Sequence, residues 1–563
     1  MMAFRSRFTK IIPVLACALC AASAVSAWAQ EVASVPPNGG QCPTSGAPLV
    51  DALSKPHWNG WGVDASQHRF QPSEMAQLAV EDVPRLKLKW AFGFPGAIIA
   101  FAPPTIMAGR LFVGSQGGIV YSLDADSGCK YWEFYAAAPV RSAIVIGQHA
   151  GGWAIYFGDL SAKVYAVDMM TGKQLWRTRI EEHPSGRVTG SPALVGATLV
   201  VPVSSNEEAI GANPSYPCCS FHGSVVALEA MTGRVQWKSY TIVQEAKPTV
   251  RNSIGLQMMG PSGAAVWSAP TFDTATRTLY VTTGDNYSDP PTDTSDAILA
   301  FNADTGELVW SRQMTTGDAY NIACVRTARA NCPQSNGPDY DFGASAVLTV
   351  LPGGKRALIG AQKSGVVTAV DPDHRGEIIW QKRVGRGGRL GGVQWGVAAD
   401  ESKVYVAVSD VRLDVVARDV PGARISPLNP TIALLLDNKA GGGLHALNLE
   451  TGDEMWRTPH PGCNDVPGCS PAQSAAVTVI PGIVFSAGLD GHLRAYSAED
   501  GHIVWDVDTN LEYRTVNGAA AHGGSIDGPG AVVVGGTLYV SSGYSIFGGL
   551  PGNVLLAYSV DGP

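Results

Sequence analysis

The chain reads as short apolar runs that stop at a polar turn and start again. The recurring unit is Ala, an apolar residue, Asp or Asn, two variable residues, Thr-Gly, three variable residues and Trp. Clear copies run from Ala166-Val167-Asp168 through Thr171-Gly172 to Trp176, from Ala300 through Thr305-Gly306 to Trp310, and from Ala446 through Thr451-Gly452 to Trp456. Weaker copies end at Trp132, Trp237 and Trp505, and one with an inserted residue, Asp371 to Gly376, ends at Trp380. The apolar residues before the Asp predict a strand. The Asx and Thr-Gly predict a tight turn, because Gly takes positive φ and Asx side chains bond the local backbone. The residues up to the Trp predict the returning strand, so each copy is a β-hairpin.

Trp90, Trp132 and Trp176 follow one another at roughly forty residues, the size of a four-stranded blade. Spacings lengthen farther on, which predicts insertions between strands. A ring of blades leaves no long exposed sheet edge. Seven copies, with Trp90 in Leu86 to Trp90, predict an all-β fold, an eight-bladed β-propeller. Its closing strand is Asn553 to Tyr558, pairing beside Trp90.

Composition agrees with a turn-rich β protein: charged residues make up 16% and there are 65 glycines. A net charge of -8 without a long basic run argues against nucleic acid or an anionic membrane surface as partner. Arg5, Arg7 and Lys10 precede the apolar run Ile11 to Val25, and Ala27-Trp28-Ala29 ends like a cleavage site. The expected organisation is a signal peptide over 1–29, an irregular leader over 30–56 and the propeller over 57–563. No later stretch has the length of a membrane span, so the expected product is soluble and periplasmic.

Export makes disulfides permissible. Cys17 and Cys20 leave with the signal peptide. Cys463 and Cys469 bracket a Pro-Gly turn, and Cys324 and Cys332 share a loop, so each is expected to pair within itself. Cys42 and Cys129 pair by elimination. Cys218 and Cys219 are neighbours and are expected to bridge; two buried thiols, or partners elsewhere, are the alternative. No Cys-x-x-Cys-His occurs, which excludes covalent c-type haem.

Polar groups gather where blade strands end or begin. Arg141 opens one blade. The strand Leu199 to Val203 empties into Ser204-Ser205-Asn206-Glu207-Glu208, oxygen ligands of the kind hard cations prefer. Thr189, Trp267, Gly284-Asp285-Asn286, Asp318, Gln362-Lys363-Ser364-Gly365 and Gly391-Gly392-Val393-Gln394-Trp395-Gly396 hold equivalent places. In a ring these places converge on the axis. Each has a plainer reading: Trp267 as a core indole, Asp318 as a turn residue, Lys363 as an exposed turn lysine, Arg141 as a solvated arginine.

In this order the motifs resemble the pyrroloquinoline-quinone-dependent alcohol dehydrogenases, over most of residues 80–560, and within them the polyvinyl-alcohol-dehydrogenase-like branch. The resemblance rests on Ser-Ser-Asn-Glu-Glu, Tyr-Pro-Cys-Cys-Ser, Trp267 ahead of Gly-Asp-Asn, Thr-Gly-Asp-Ala-Tyr-Asn, Gln-Lys-Ser-Gly and Gly-Gly-Val-Gln-Trp-Gly. It implies pyrroloquinoline quinone (PQQ) stacked on Trp267, Ca2+ held by Glu208, Asn286 and Asp318, Asp318 also as general base, and Lys363 polarising the quinone carbonyl. Glu207 in place of Glu208 is one residue away. Thr189 and Ser205 match positions that bond the cofactor's carboxylates; Arg141, Gln394, Cys218 and Cys219 are further cofactor candidates. The implied activity is oxidation of primary or secondary alcohols, small or polymeric, with a separate acceptor such as a c-type cytochrome. Three departures stand out: Tyr320-Asn321 where many relatives have Trp-Asp, a Cys pair placed after Glu208 rather than in an earlier blade, and no haem-binding segment. The competing reading is a cofactor-free propeller serving as a binding scaffold.

Overall fold

The computed structural model describes residues 40–43, 52–326, 328–426 and 429–562. The expected signal peptide lies outside the described residues, as does most of the expected leader.

Eight antiparallel sheets follow one another along the chain, each built on a four-stranded meander. Blade 1 starts at Thr105–Met107, blade 2 at Val145–His149, blade 3 at Ala193–Val195 and blade 4 at Thr271–Asp273. Blades 5 to 8 start at Val347–Val350, Ala398–Ala399, Thr478–Ile480 and Val532–Val534. Blade 8 takes its outermost strand from the front of the chain. Lys87–Gly93 pairs with Val554–Ser559, Ala91 opposite Leu556, so the two ends of the ring are hydrogen-bonded together. That closure is the one the pattern around Trp90 predicts. Blade 3 gains a short extra strand, Gly186–Arg187. The longer spacings hold a hairpin over Lys247–Arg251 and Gln257–Gly260, and a three-stranded sheet between Leu413 and Leu436.

The repeated motif has a tertiary purpose. In its hairpin, Asp168 Oδ1 accepts from the Met170 and Thr171 N–H groups and from the Thr171 hydroxyl, which closes the turn. Gly172 has φ +72, and a Cβ there would sit 2.8 Å from the ring of Trp132 in the preceding blade. The same fit recurs: Gly128 under Trp90, Gly233 under Trp176, Gly306 under Trp237, Gly376 under Trp310, Gly452 under Trp380 and Gly501 under Trp456. Most of these indoles also donate to a carbonyl of the next blade, as Trp176 Nε1 does to Ala230 O at 2.9 Å and Trp380 Nε1 to Leu449 O at 3.1 Å. The recurring Ala stands directly opposite the Trp in the ladder, Ala166 to Trp176 and Ala446 to Trp456. A small residue there lets the ring lie flat.

Four disulfides join Cys42 to Cys129, Cys218 to Cys219, Cys324 to Cys332 and Cys463 to Cys469, the expected pairing. They mark an extracytoplasmic protein. Cys42 ties the leader to blade 1, where Gln41 also bridges to Lys130. Among the described residues no helix is long and apolar enough to cross a membrane.

Gly172→Ala strains the backbone at positive φ and drives a methyl into Trp132. Gly151 has φ +80 but open space around it. Urea unfolding is therefore expected to show Gly151→Ala costing about 1 kcal/mol and Gly172→Ala about 2–4 kcal/mol. Equal costs would mean that the indole contact contributes nothing.

Candidate active site

The segments that lead into the blades meet at the hub. They line a narrow cleft, with Phe101, Arg141, Thr189, Trp267, Gly343, Trp395 and Pro529 in its wall. Trp267 enters it ahead of blade 4. A Cβ at Gly343 would fall 2.1 Å from the Trp267 ring, so this glycine is what lets the indole settle against the backbone. Trp395 meets Trp267 edge-on, with centroids 5.4 Å apart and planes at 86°. Asp527 accepts from Trp395 Nε1, and from Ser474 Oγ at 2.7 Å. Arg141 lies over the Trp395 ring at 4.6 Å and donates to the Tyr544 hydroxyl at 3.4 Å. Thr189 Oγ1 shares a 2.5 Å hydrogen bond with Ser204.

Next to this cleft is a buried charged cluster. Lys363 follows the second strand of blade 5, Arg356–Ala361. Its Nζ donates to Asp339 Oδ1 at 2.7 Å and to Asp341 Oδ2 at 2.9 Å, and lies 5.6 Å from the centre of the Trp267 ring. Asp339 and Asp341 stand two apart in the segment before blade 5; Asp339 takes a left-handed backbone, φ +61, and both carboxylates meet the Lys363 ammonium. Asp285 follows the second strand of blade 4. Asp285, Asp339 and Asp341 each place a carboxylate oxygen within 4.8 Å of the other two. Asp341 Oδ1 accepts from the Asp285 N–H at 2.6 Å. A Cβ at Gly284 would come within 2.8 Å of that same oxygen, so only glycine allows the approach.

Three carboxylates, those of Asp339, Asp341 and Glu208, act on this one ammonium, and Asp285 adjoins Asp339 and Asp341. Burial alone would pull Lys363 down; Asp339, Asp341 and Glu208 together hold it well above the usual lysine range. Burial pushes the Asp285 carboxyl well up, and Asp341 and Asp339 add to the rise. Loss of hydration lifts Glu208 to about 7, against the pull of Lys363 and with the push of Asp341. Asp285 is 1% exposed, and its Oδ2 has no hydrogen-bond partner. An excess of dehydrated carboxylate oxygens, one of them orphaned, fits a hard cation. An indole face with Arg141 and Lys363 at hand fits a flat anionic ring.

The expected site residues fall into two groups. Arg141, Thr189, Trp267, Lys363 and Glu208 come together at the hub. Gln394 is buried beside it with Oε1 unpaired. Others are spent on the scaffold. Asn286 Oδ1 accepts from Thr292 N–H at 2.7 Å and its Nδ2 donates to Ser262 O at 3.0 Å, so its amide serves a turn while Asp285 faces the cluster. Asp318 uses both oxygens on the backbone of the acidic segment, Oδ1 from Asp339 N–H at 3.1 Å and Oδ2 from Tyr340 N–H at 2.8 Å. Burial raises its carboxyl, and these two bonds oppose the rise. Ser205 Oγ accepts from Glu207 N–H at 3.1 Å. Cys218 and Cys219 are fully buried and do not line the cleft.

Glu207, the one-residue alternative to Glu208, points away. Its carboxylate accepts from Tyr216 OH, Ser220 N–H and Phe221 N–H. Asp339 and Asp341 are absent from the expectations above, and Asp285, inside the Gly284-Asp285-Asn286 motif, is passed over there for Asn286. The spacing Asp-Tyr-Asp was the available signal.

Residues 58–325 match the family described as glucose/ethanol/alcohol dehydrogenase, beta-propeller domain, and residues 363–550 match outer membrane protein assembly factor BamB. The quinohemoprotein alcohol dehydrogenase ADHIIG of Pseudomonas putida superimposes with a TM-score of 0.65 at 19% identity, covering 94% of this chain and 83% of that one. That likeness speaks for the fold. The chain belongs to the PQQ-dependent alcohol dehydrogenase family. Within it, the chain is 41% identical to a polyvinylalcohol dehydrogenase of Pseudomonas sp. over 553 residues, 95% of this chain and 82% of the relative. A polyvinylalcohol dehydrogenase of Sphingopyxis sp. is 39% identical over 555 residues, 95% of this chain and 81% of the relative.

Lys363→Met removes the one cation that, among the described residues, is bonded to Asp339 and Asp341. Urea unfolding without added metal is expected to show a loss of about 3–5 kcal/mol, and millimolar Ca2+ is expected to restore part of it. A variant as stable as the parent in both conditions would contradict the charge balance described.

Proposed function

We propose that the hub is the active site of a periplasmic quinoprotein that oxidises alcohols, with secondary alcohols of a polyvinyl-alcohol-like chain as substrate. The observation that carries this is Lys363: one ammonium lies over the Trp267 ring, 5.6 Å from its centre, and bonds two buried carboxylates at once. When bound, PQQ supplies the hydride acceptor and Ca2+ supplies fixed positive charge beside it.

The chain's own groups do the rest. Trp267 provides the flat apolar floor and Gly343 the room for it. Arg141 and Thr189, in the cleft wall, would meet the cofactor's carboxylates. Glu208, Asp285 and Asp341 would hold Ca2+, with Asp285 in the place expected of Asn286. Asp339 commits one oxygen to Lys363, and we assign it the alcohol proton in place of Asp318, whose oxygens hold the Asp339 and Tyr340 amides. A carboxylate whose affinity for protons is raised by burial is suited to that task. Lys363 stabilises negative charge that develops during transfer. Electrons leave to a separate acceptor such as a c-type cytochrome, since the chain has no haem attachment motif. The substrate class follows the two relatives named as polyvinylalcohol dehydrogenases. The periplasm follows the disulfides and the expected signal peptide.

Reconstitution tests the reading. Apoprotein given PQQ and Ca2+ is expected to reduce a dye with polyvinyl alcohol and with 2,4-pentanediol, the polymer giving the higher kcat/KM per hydroxyl. No cofactor spectrum and no dye reduction with either alcohol would leave only the scaffold. Asp339→Asn is expected to lower kcat at least about 100-fold with PQQ uptake retained. Undiminished turnover per bound cofactor would remove Asp339 from the role.

A further inference from the structure

The bridge between Cys218 and Cys219 invites a place over the quinone, yet its surroundings point elsewhere. The strand Thr198–Ser205 ends in a single helical turn, Glu207–Ile210, which carries Glu208 toward Lys363 and Asp341. One residue earlier, Glu207 is fully buried and faces the opposite way. Its Oε1 accepts from Tyr216 OH at 2.7 Å and Ser220 N–H at 2.8 Å, and its Oε2 from Phe221 N–H at 2.8 Å. All three donors flank the cysteine pair. The pair is itself anchored: Cys219 N–H donates to Met259 O, and Met259 N–H to Cys218 O, both at 3.0 Å.

The other end of the turn is held as well. Asn331 Nδ2 donates to Gly211 O at 3.0 Å, Asn213 O at 2.8 Å and Tyr216 O at 3.0 Å. Asn331 sits beside Cys332 of the Cys324–Cys332 bridge. Asn321 joins the two disulfide regions, donating to Cys218 Sγ at 3.7 Å and to Asn331 O at 2.9 Å. The turn bearing Glu208 is therefore clamped from both sides, and Asn321 follows the Asp318 loop that holds Asp339 and Tyr340.

We infer that the Cys218–Cys219 turn is a positioning element for the metal ligand Glu208, acting through the Glu207 carboxylate, and that its disulfide tunes cation affinity rather than covering the quinone. The inference rests on the proposed cation site. A side chain facing bulk solvent would lose freedom on binding a cation; Glu208, presented by a turn with no slack, has little left to lose. Nothing in this geometry needs contact between sulfur and cofactor.

The test is Ca2+ titration of metal-free protein by calorimetry, with quinone affinity measured separately, without Ca2+, from quenching of tryptophan fluorescence. Glu207→Gln and the double variant Cys218→Ser, Cys219→Ser are each expected to weaken Ca2+ binding about 10–100-fold, with quinone affinity within about twofold of the parent. Tyr216→Phe, which removes one donor and no charge, is expected to give a smaller loss of the same kind. If the double variant fails to fold, Glu207→Gln and Tyr216→Phe decide the matter. Unchanged Ca2+ affinity in folded Glu207→Gln would overturn the inference, as would a loss of quinone affinity alone in the cysteine variant. A parent protein that takes up no Ca2+ would overturn the cation site itself, a distinct result.

Discussion

The structure depends on a latch between neighbouring blades: an indole from one hairpin laid on the glycine turn of the next. Each of these Trp residues covers a turn that has no side chain to obstruct it, and one that is buried there, as Trp90 and Trp380 are, is worth roughly 3–5 kcal/mol. Repeated around the ring, the latch sets the angle between blades at their outer ends. The last blade lacks the Thr-Gly turn, and there Trp505 meets Tyr558 edge-on, with ring centres 5.5 Å apart. The N-terminal strand then completes that blade, so the ring has no loose seam.

Because the latches sit at the periphery, the inner ends of the blades are free of packing duties and can carry charge. The hub uses that freedom in an expensive way. Three carboxylates act on one lysine and a fourth, that of Asp285, lies buried beside them, an arrangement that costs stability unless a cation completes it. Lys363 cannot neutralise four acids, and the unpaired Asp285 oxygen shows where the deficit lies. The same lysine borders the Trp267 face, so the carboxylate cluster and the indole wall of the cleft are one electrostatic unit.

Much of the polar apparatus nearby is scaffolding for this unit. Asp318 holds the segment that presents Asp339 and Asp341, Glu207 holds the turn that presents Glu208, and Asn286 closes the turn next to Asp285. A carboxylate with its lone pairs taken up by backbone N–H groups orients its neighbour, whereas one left short of donors can meet a ligand. That distinction separates Glu207 from Glu208 and Asn286 from Asp285 although each pair is adjacent in the chain.

The ring was legible in the amino-acid sequence because its cause is local. A hairpin needs only an Asx residue, a Thr-Gly and a Trp at set spacings, and the ladder opposite Trp176 or Trp456 follows from the same few residues. The blade number follows from counting the copies, the closing strand from the pattern beside Trp90, and the cysteine pairs from shared turns, adjacency and elimination. Trp267 and Lys363 were also visible, through their order among the blade motifs. What the sequence did not decide was which of two neighbouring polar residues turns toward the axis. Adjacent side chains point different ways, on the Glu207–Ile210 turn as at Asp285 and Asn286, so a shift of one residue exchanges a group that faces the cluster for one that braces it. Only the packing of blades 3, 4 and 5 around the hub chose Asp285, Asp339, Asp341 and Glu208, because that choice depends on contacts between segments far apart in the chain.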